Sequence, residues 1–160
     1  MNIMCPGAAN KNTDPLDRAA ARCAARGVRL TPIRRDVLAL LLRHENGLKA
    51  YDLLAQIKQL RSNATPPTVY RALDFLIEQG LVHKIGRINQ FVACRHESHD
   101  LPGLFLVCPR CGKVSELQDA ALMQSLLRSI GQAGHALDCP EVEVTATCPD
   151  CRGCRPTACC

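Results

Sequence analysis

Two cysteine pairs are the first features of this sequence whose residue types and spacing suggest chemistry. Cys108-Pro-Arg-Cys111 and Cys148-Pro-Asp-Cys151 are Cys-x2-Cys turns, each at the end of a segment that reads as a strand. Four thiolates delivered by two such turns are the donor set of a closed tetrahedral zinc site. With no open coordination position the site is structural. Its binding free energy, on the order of 10–16 kcal/mol in zinc-finger peptides, then serves as folding free energy for a small sheet.

A second set of donors surrounds the first pair: His83, Cys94, His96, His99, Asp100 and Glu116. Alone, His83 in a strand reads as a packed imidazole and Cys94 as a small buried hydrophobe. Their common position, between a basic first half and a cysteine-rich second half, changes that reading. Mixed S, N and O donors there suit a reversibly bound, borderline-soft cation that ties the halves together and senses supply. His96 is so close to Cys94 that His99 reaches back more easily, and both remain candidates. Cys154, Cys159 and Cys160 read as part of a loose tail.

An enzyme fits poorly. A zinc deaminase carries H-x-E followed by P-C-x-x-C. Here Glu97 adjoins His96 directly, and the proline lies inside the Cys108–Cys111 pair. A site of four cysteines also leaves no place for a reactive water.

Composition narrows the setting. A chain of 160 residues, 47% hydrophobic, can build one ordinary domain or two small ones. No apolar run approaches the ~18 residues of a membrane span. The opening MNIMCPGAANKNTDP has no charged start followed by an apolar core, so a cytoplasmic location is expected. In a reducing compartment the 11 cysteines read as metal ligands more readily than as disulfides. Charge is divided: residues 1–94 hold 14 Lys and Arg against 7 Asp and Glu (+7), and residues 95–160 hold 6 against 8 (−2). The excess in the first half points to a polyanion such as DNA. A DNA-free zinc-binding or thiol-rich buffer protein would leave that half unexplained.

Periodicity supplies the elements that position these groups. Residues 1–13 read as a loose tail. Asp14-Pro15 and Thr31-Pro32 each start a helix, the first stopping at Gly27 and the second at Asn46-Gly47. A third helix carries Ala50, Leu53, Leu54, Ile57 and Leu60. A fourth opens at Pro66-Pro67, presents Val69, Ala72, Leu73, Leu76 and Ile77 on one face, and closes at Gly80. Residues 81–85 and 90–94 then alternate as a hairpin.

Helices followed by a two-stranded wing make a winged helix-turn-helix, whose last helix enters the major groove. Opposite the apolar stripe of that helix stand Thr68, Tyr70 and Arg71. Arg71 is placed to pair with a guanine or a phosphate, and Thr68, Tyr70 and Tyr51 with phosphates. Residues 95–103 read as a linker. Beyond it come a strand at 104–107, a second at 113–117, a helix bearing Leu122, Met123, Leu126, Leu127 and Ile130, and an alternating, half-buried strand at 141–147. The fold class is α+β, with a DNA-binding unit over 1–94, a hinge over 95–103, a small α/β unit over 104–151 and a cysteine-rich tail over 152–160.

The stretches RLTPIRRDVL, AYDLL, PPTVYRALDFLIEQGLVHKI and CPRCG with CPDC resemble the ferric uptake regulator superfamily, and within it the zinc uptake regulators. The likeness covers about residues 14–151. It implies a zinc-responsive repressor of zinc-uptake genes, not an enzyme, whose α/β unit dimerises and whose zinc-loaded homodimer binds AT-rich palindromic operators. It implies two Zn2+ per monomer: a structural one on Cys108, Cys111, Cys148 and Cys151, and a regulatory one onto which His83, Cys94, His99 and Glu116 map. Iron- and peroxide-sensing relatives typically carry His-His-x-His in the linker. Here His96-Glu-Ser-His99 replaces it and a thiolate stands at Cys94, so the softer donors favour zinc over the alternative of iron, manganese or peroxide sensing.

Overall fold

The computed structural model describes residues 14–94, 102–138 and 141–153. The tail residues 1–13, the linker histidines His96 and His99, and Cys154, Cys159 and Cys160 lie outside the described residues.

The expected helices form in order: α1 (Pro15–Ala25), α2 (Pro32–Arg43), α3 (Ala50–Leu60) and α4 (Pro66–Glu78). Asp14 caps α1, its carboxylate accepting the Leu16 N–H at 3.1 Å, and proline stands in the first turn of α1, α2 and α4. Their apolar stripes meet in one core. Val37, Leu38 and Leu41 of α2 pack with Leu53 and Ile57 of α3 and with Val69, Leu73 and Leu76 of α4. Each such burial is worth about 1.5–3 kcal/mol, enough to set the three helices at fixed angles.

The wing is β2 (Val82–Ile85) and β3 (Gln90–Ala93), joined through a short 3-10 turn at Gly86–Ile88. Both strands pair antiparallel, with His83 opposite Val92. A third strand, β1 (Leu48–Lys49), was not expected; it adds to β3 and gives the order β1-β3-β2. Two residues are too few to show a period-2 pattern. Gly47 makes the join possible. Its φ is +78°, and a Cβ there would run into the Phe91 carbonyl and stand 2.8 Å from Val92 Cγ1.

The second half holds β4 (Gly103–Val107), β5 (Val114–Leu117), α5 (Ala120–Gln132), β6 (Glu141–Thr145) and the short α6 (Pro149–Arg152). The strand order is β5-β4-β6: β4 and β5 form a hairpin, and β6 returns parallel to β4 after α5. The molecule is therefore α+β, a winged helix followed by a small α/β unit.

The two halves share a core. Ile85 and Val92 of the wing pack against Phe105, Val107 and Val114 of the second sheet. The wing is thus covered on both faces, by the helices through Val82 and Phe91 and by the β4 sheet through Ile85 and Val92.

Two details of the second half go beyond what periodicity indicates. The alternation in β6 does bury one face in part, but it is the carboxylate face that is engaged. Glu141 and Glu143 turn to the wing, while Val144 is 42% exposed. In α5 the leucine stripe is not closed over: only Met123 is buried, and Leu122 is exposed. The periodicities are those of buried faces, and among the described residues the valines of β6 and the leucines of α5 are covered only in part.

Gly47→Ala is expected to destabilise the protein by about 2 kcal/mol or more, since it adds left-handed strain to a clash with β3. Urea denaturation would measure it. An unchanged midpoint would show that the β1 pairing is dispensable.

Candidate metal centres and nucleic-acid interface

Cys108 directly follows β4, and Cys111 lies in the turn to β5. The turn is closed by Cys108 N–H donating to the Lys113 carbonyl at 2.9 Å and by Gly112 N–H donating to the Cys108 carbonyl at 3.0 Å. Gly112, at φ +73°, lets the chain reverse directly after the second thiol. Cys148 follows β6, and Cys151 comes one turn later on α6, whose N–H bonds to the Cys148 carbonyl at 3.1 Å. Parallel pairing of β6 on β4 brings the two turns to the same end of the sheet.

The four sulfurs lie within 4.8 Å of one another, and Cys111 Sγ is 3.7 Å from Cys148 Sγ. A tetrahedron with Zn–S bonds of about 2.3 Å has edges of about 3.8 Å. The cluster thus has the size that a zinc tetrathiolate requires. Cys108, Cys148 and Cys151 are buried, and Cys111 is exposed. Polar contacts brace the turns: Arg110 Nη1 donates to the Cys151 carbonyl at 2.8 Å, and Lys113 Nζ meets Asp150 at 2.8 Å. Backbone N–H groups of Cys148 and Cys111 aimed at the Cys108 sulfur lower its pKa to about 6, which favours the ligating thiolate.

The second donor set is partly assembled. His83 of β2 is buried, and Cys94 lies close enough to act on the charge of its ring. Cys94 is placed by its own N–H, which donates to the Leu81 carbonyl at 2.8 Å. Glu116 of β5 stands opposite Phe105 in register, and the Phe105 ring lies 5.0 Å from that of His83. Glu116 therefore shares the sheet face that looks onto His83. Among the described residues, however, only the four cysteines converge as a group of three or more donors at metal-holding spacing.

Sequence reasoning missed a carboxylate in this region. Glu141 Oε1 is 3.0 Å from His83 Nδ1, with the two side chains 14% and 9% exposed. Its neighbour Glu143 accepts the N–H groups of Gly86 and Arg87 at 2.6 and 3.1 Å. The signal was present: carboxylates two residues apart in a strictly alternating strand must share a face. Burial alone pulls the His83 pKa down, but Cys94 and Glu141 more than offset it, and the result is raised to about 9.

The groove-facing candidates are all on the surface. Thr68, Tyr70 and Arg71 are exposed on the first two turns of α4, opposite buried Val69, Ala72 and Leu73. Tyr70 is 51% exposed and Tyr51, in the first turn of α3, is 80% exposed. The Thr65 and Thr68 hydroxyls bond each other at 2.8 Å, and the Thr65 carbonyl accepts the first N–H groups of α4, those of Thr68 and Val69, at 3.1 and 3.2 Å. Other basic residues have internal roles. Arg34 lies 3.5 Å over the Phe75 ring, Arg35 pairs with Asp17 at 2.8 Å, and Arg61 pairs with Asp36. Part of the positive charge of the first half thus braces the helices.

The family model described as "Ferric uptake regulator family" matches residues 25–145. The zinc uptake regulation protein of Escherichia coli (strain K12) is similar to this chain at 38% identity over 138 residues, spanning 85% of this chain and 80% of that protein. A solved zinc uptake regulator complexed with zinc and DNA superposes with a TM-score of 0.77 at 36% identity, over 88% of this chain and 97% of that one. The crystal structure of holo XcZur superposes with a TM-score of 0.75 at 38% identity, over 87% and 97%.

Cys111→Ser is expected to empty the four-cysteine site and unfold the sheet built on it, leaving the helical half folded. Circular dichroism and metal content would report this, and a folded, metal-replete variant would refute it. The raised pKa of His83 has a definite sign. Folding favours its protonated form, so the stabilisation is full below about pH 6.5 and is lost as pH rises through about 9. Urea midpoints of protein metallated only at the four cysteines should fall across that window, and fall less in His83→Gln.

Proposed function

We propose, from the premise that the chain belongs to the ferric uptake regulator family, that it is a zinc-responsive transcription regulator which represses zinc-uptake genes. In this reading it is a DNA-binding protein and not an enzyme. The observation that carries it is the seam between wing and second sheet. His83 and Cys94 sit there on the DNA-binding side, facing the sheet that ends in the four-cysteine cluster.

The reading assigns two zinc ions per monomer. Cys108, Cys111, Cys148 and Cys151 hold the structural one. His83, Cys94, His99 and Glu116 hold the regulatory one, with His96 the alternative to His99. Zinc, when bound at the second site, supplies a cross-link between the halves. His83 and Cys94 fix the wing side of that link, and Glu116 fixes the sheet side. Residues 1–94 then act as the DNA-binding unit, 95–103 as the hinge and 104–151 as the dimerisation unit.

A homodimer is supported by the leucines of α5 and by Val144, apolar surface that the described residues leave partly open. A two-fold dimer presents two α4 helices to an AT-rich palindrome, with half-sites about one DNA turn apart. Tyr51, Thr68, Tyr70 and Arg71 make the contacts. Linkage between the regulatory site and DNA of about 1–3 kcal/mol corresponds to roughly 5–150-fold in operator affinity. The thiolate at Cys94 favours zinc over iron or manganese.

Operator binding titrated against buffered free zinc, iron and manganese tests this. Tightening with zinc alone is expected, and equal affinity with the structural site alone filled and with both filled would end the sensor model. Arg71→Ala is expected to lose about 1–3 kcal/mol of specific binding. His83→Ala is expected to keep its structural zinc and lose the zinc response.

A further inference from the structure

We propose that Glu141 is a positioning residue of the regulatory site: it holds His83 by Nδ1 so that the ring offers Nε2 to the metal. This rests on the sensor reading above and extends it to a residue on the opposite side of the seam. The contact is 3.0 Å long and joins β6 of the second half to β2 of the wing. Both side chains are largely withdrawn from water, at 14% and 9% exposure, so the carboxylate is held against the ring rather than sampling solvent.

Other constraints fix the same ring. His83 is locked into the ladder opposite Val92, and the Phe105 ring leans on it at 53°. Phe105 can lie there because residue 103 is glycine; a Cβ at that position would come 2.6 Å from the Phe105 Cε2 atom. Gly103 is also the residue paired with Glu141 in the parallel ladder. Backbone register, aromatic packing and the carboxylate thus all constrain one imidazole. A carboxylate on the far nitrogen of a ligating histidine sets its tautomer, fixes its plane and raises its basicity. Donation of Nδ1–H to Glu141 leaves Nε2 as the nitrogen with a lone pair.

Glu143 provides the control. It lies two residues along the same strand face and also grips the wing, but through the Gly86 and Arg87 amides and not through a ligand. A purely structural role for Glu141 predicts that both substitutions behave alike.

The full chain, with its four-cysteine site filled, would be titrated with zinc against a competing chelator and with cobalt, following the thiolate-to-cobalt band. Glu141→Gln is expected to weaken the second site about 10–100-fold, with partial recovery in Glu141→Asp and a change under about twofold in Glu143→Gln. Unchanged affinity in Glu141→Gln overturns the proposal. So does an equal loss in Glu143→Gln, which would make the contact only structural. Complete loss with an altered cobalt spectrum overturns it too, since Glu141 would then be a ligand. If His83→Ala keeps the second equivalent, the sensor reading itself fails, a result distinct from the others. Should Glu141→Gln not fold, nitrogen-15 long-range correlation spectra of the zinc-loaded parent still decide. A proton on His83 Nδ1 and metal on Nε2 support the proposal, and the reverse overturns it.

Discussion

The wing is packed on both faces, and most of what the molecule can do follows from that. A two-stranded hairpin is marginal alone and acquires a fixed geometry only from what it packs against. Here one face closes the helical core through Val82 and Phe91, and the other enters a small cluster with Phe105, Val107 and Val114. Alternation along β2 makes this possible. Val82 points to the helices, while His83 and Ile85 point to the second sheet. The strand that closes the helical core therefore also carries the His83 imidazole into the seam between the halves.

That seam is lightly built. Its apolar cluster has five buried residues, far fewer than the helical core. The sheet behind it carries an α-helix with one buried side chain. Apolar burial on this scale cannot hold three strands in register, which explains why four thiolates gather where β4 and β6 end. Metal coordination supplies at one point the cohesion that a larger core would distribute. It also leaves the wing side of the same sheet free to use polar contacts, among them the two carboxylates of β6.

The helices, the wing hairpin and the cysteine turns could be read from the chain because each rests on local rules. Prolines open α1, α2 and α4, the spacing of Val69, Ala72, Leu73 and Leu76 defines a face, and Cys-x2-Cys turns announce their ligand chemistry. What escaped was tertiary. Leu48 and Lys49 form a strand only because β3 is there to pair with them, and two residues carry no period. Glu141 and Glu143 were visible as carboxylates on one face of a strand. Which face meets the wing depends on the parallel register of β6 on β4, and no local pattern encodes that. The leucines of α5 were visible as one face of a helix, but periodicity cannot say what, if anything, covers that face.

The turn at the tip of the wing has one more consequence. With the amides of Gly86 and Arg87 both donated to Glu143, neither of these backbone donors is left to grasp a polyanion. What it retains is the mobile charge of Lys84 and Arg87, both exposed. Charge of this kind acts by displacing condensed counterions, so its grip fades as ionic strength rises and is blind to base order. In the proposed DNA-binding role the wing contributes adhesion, and discrimination between sequences falls to α4.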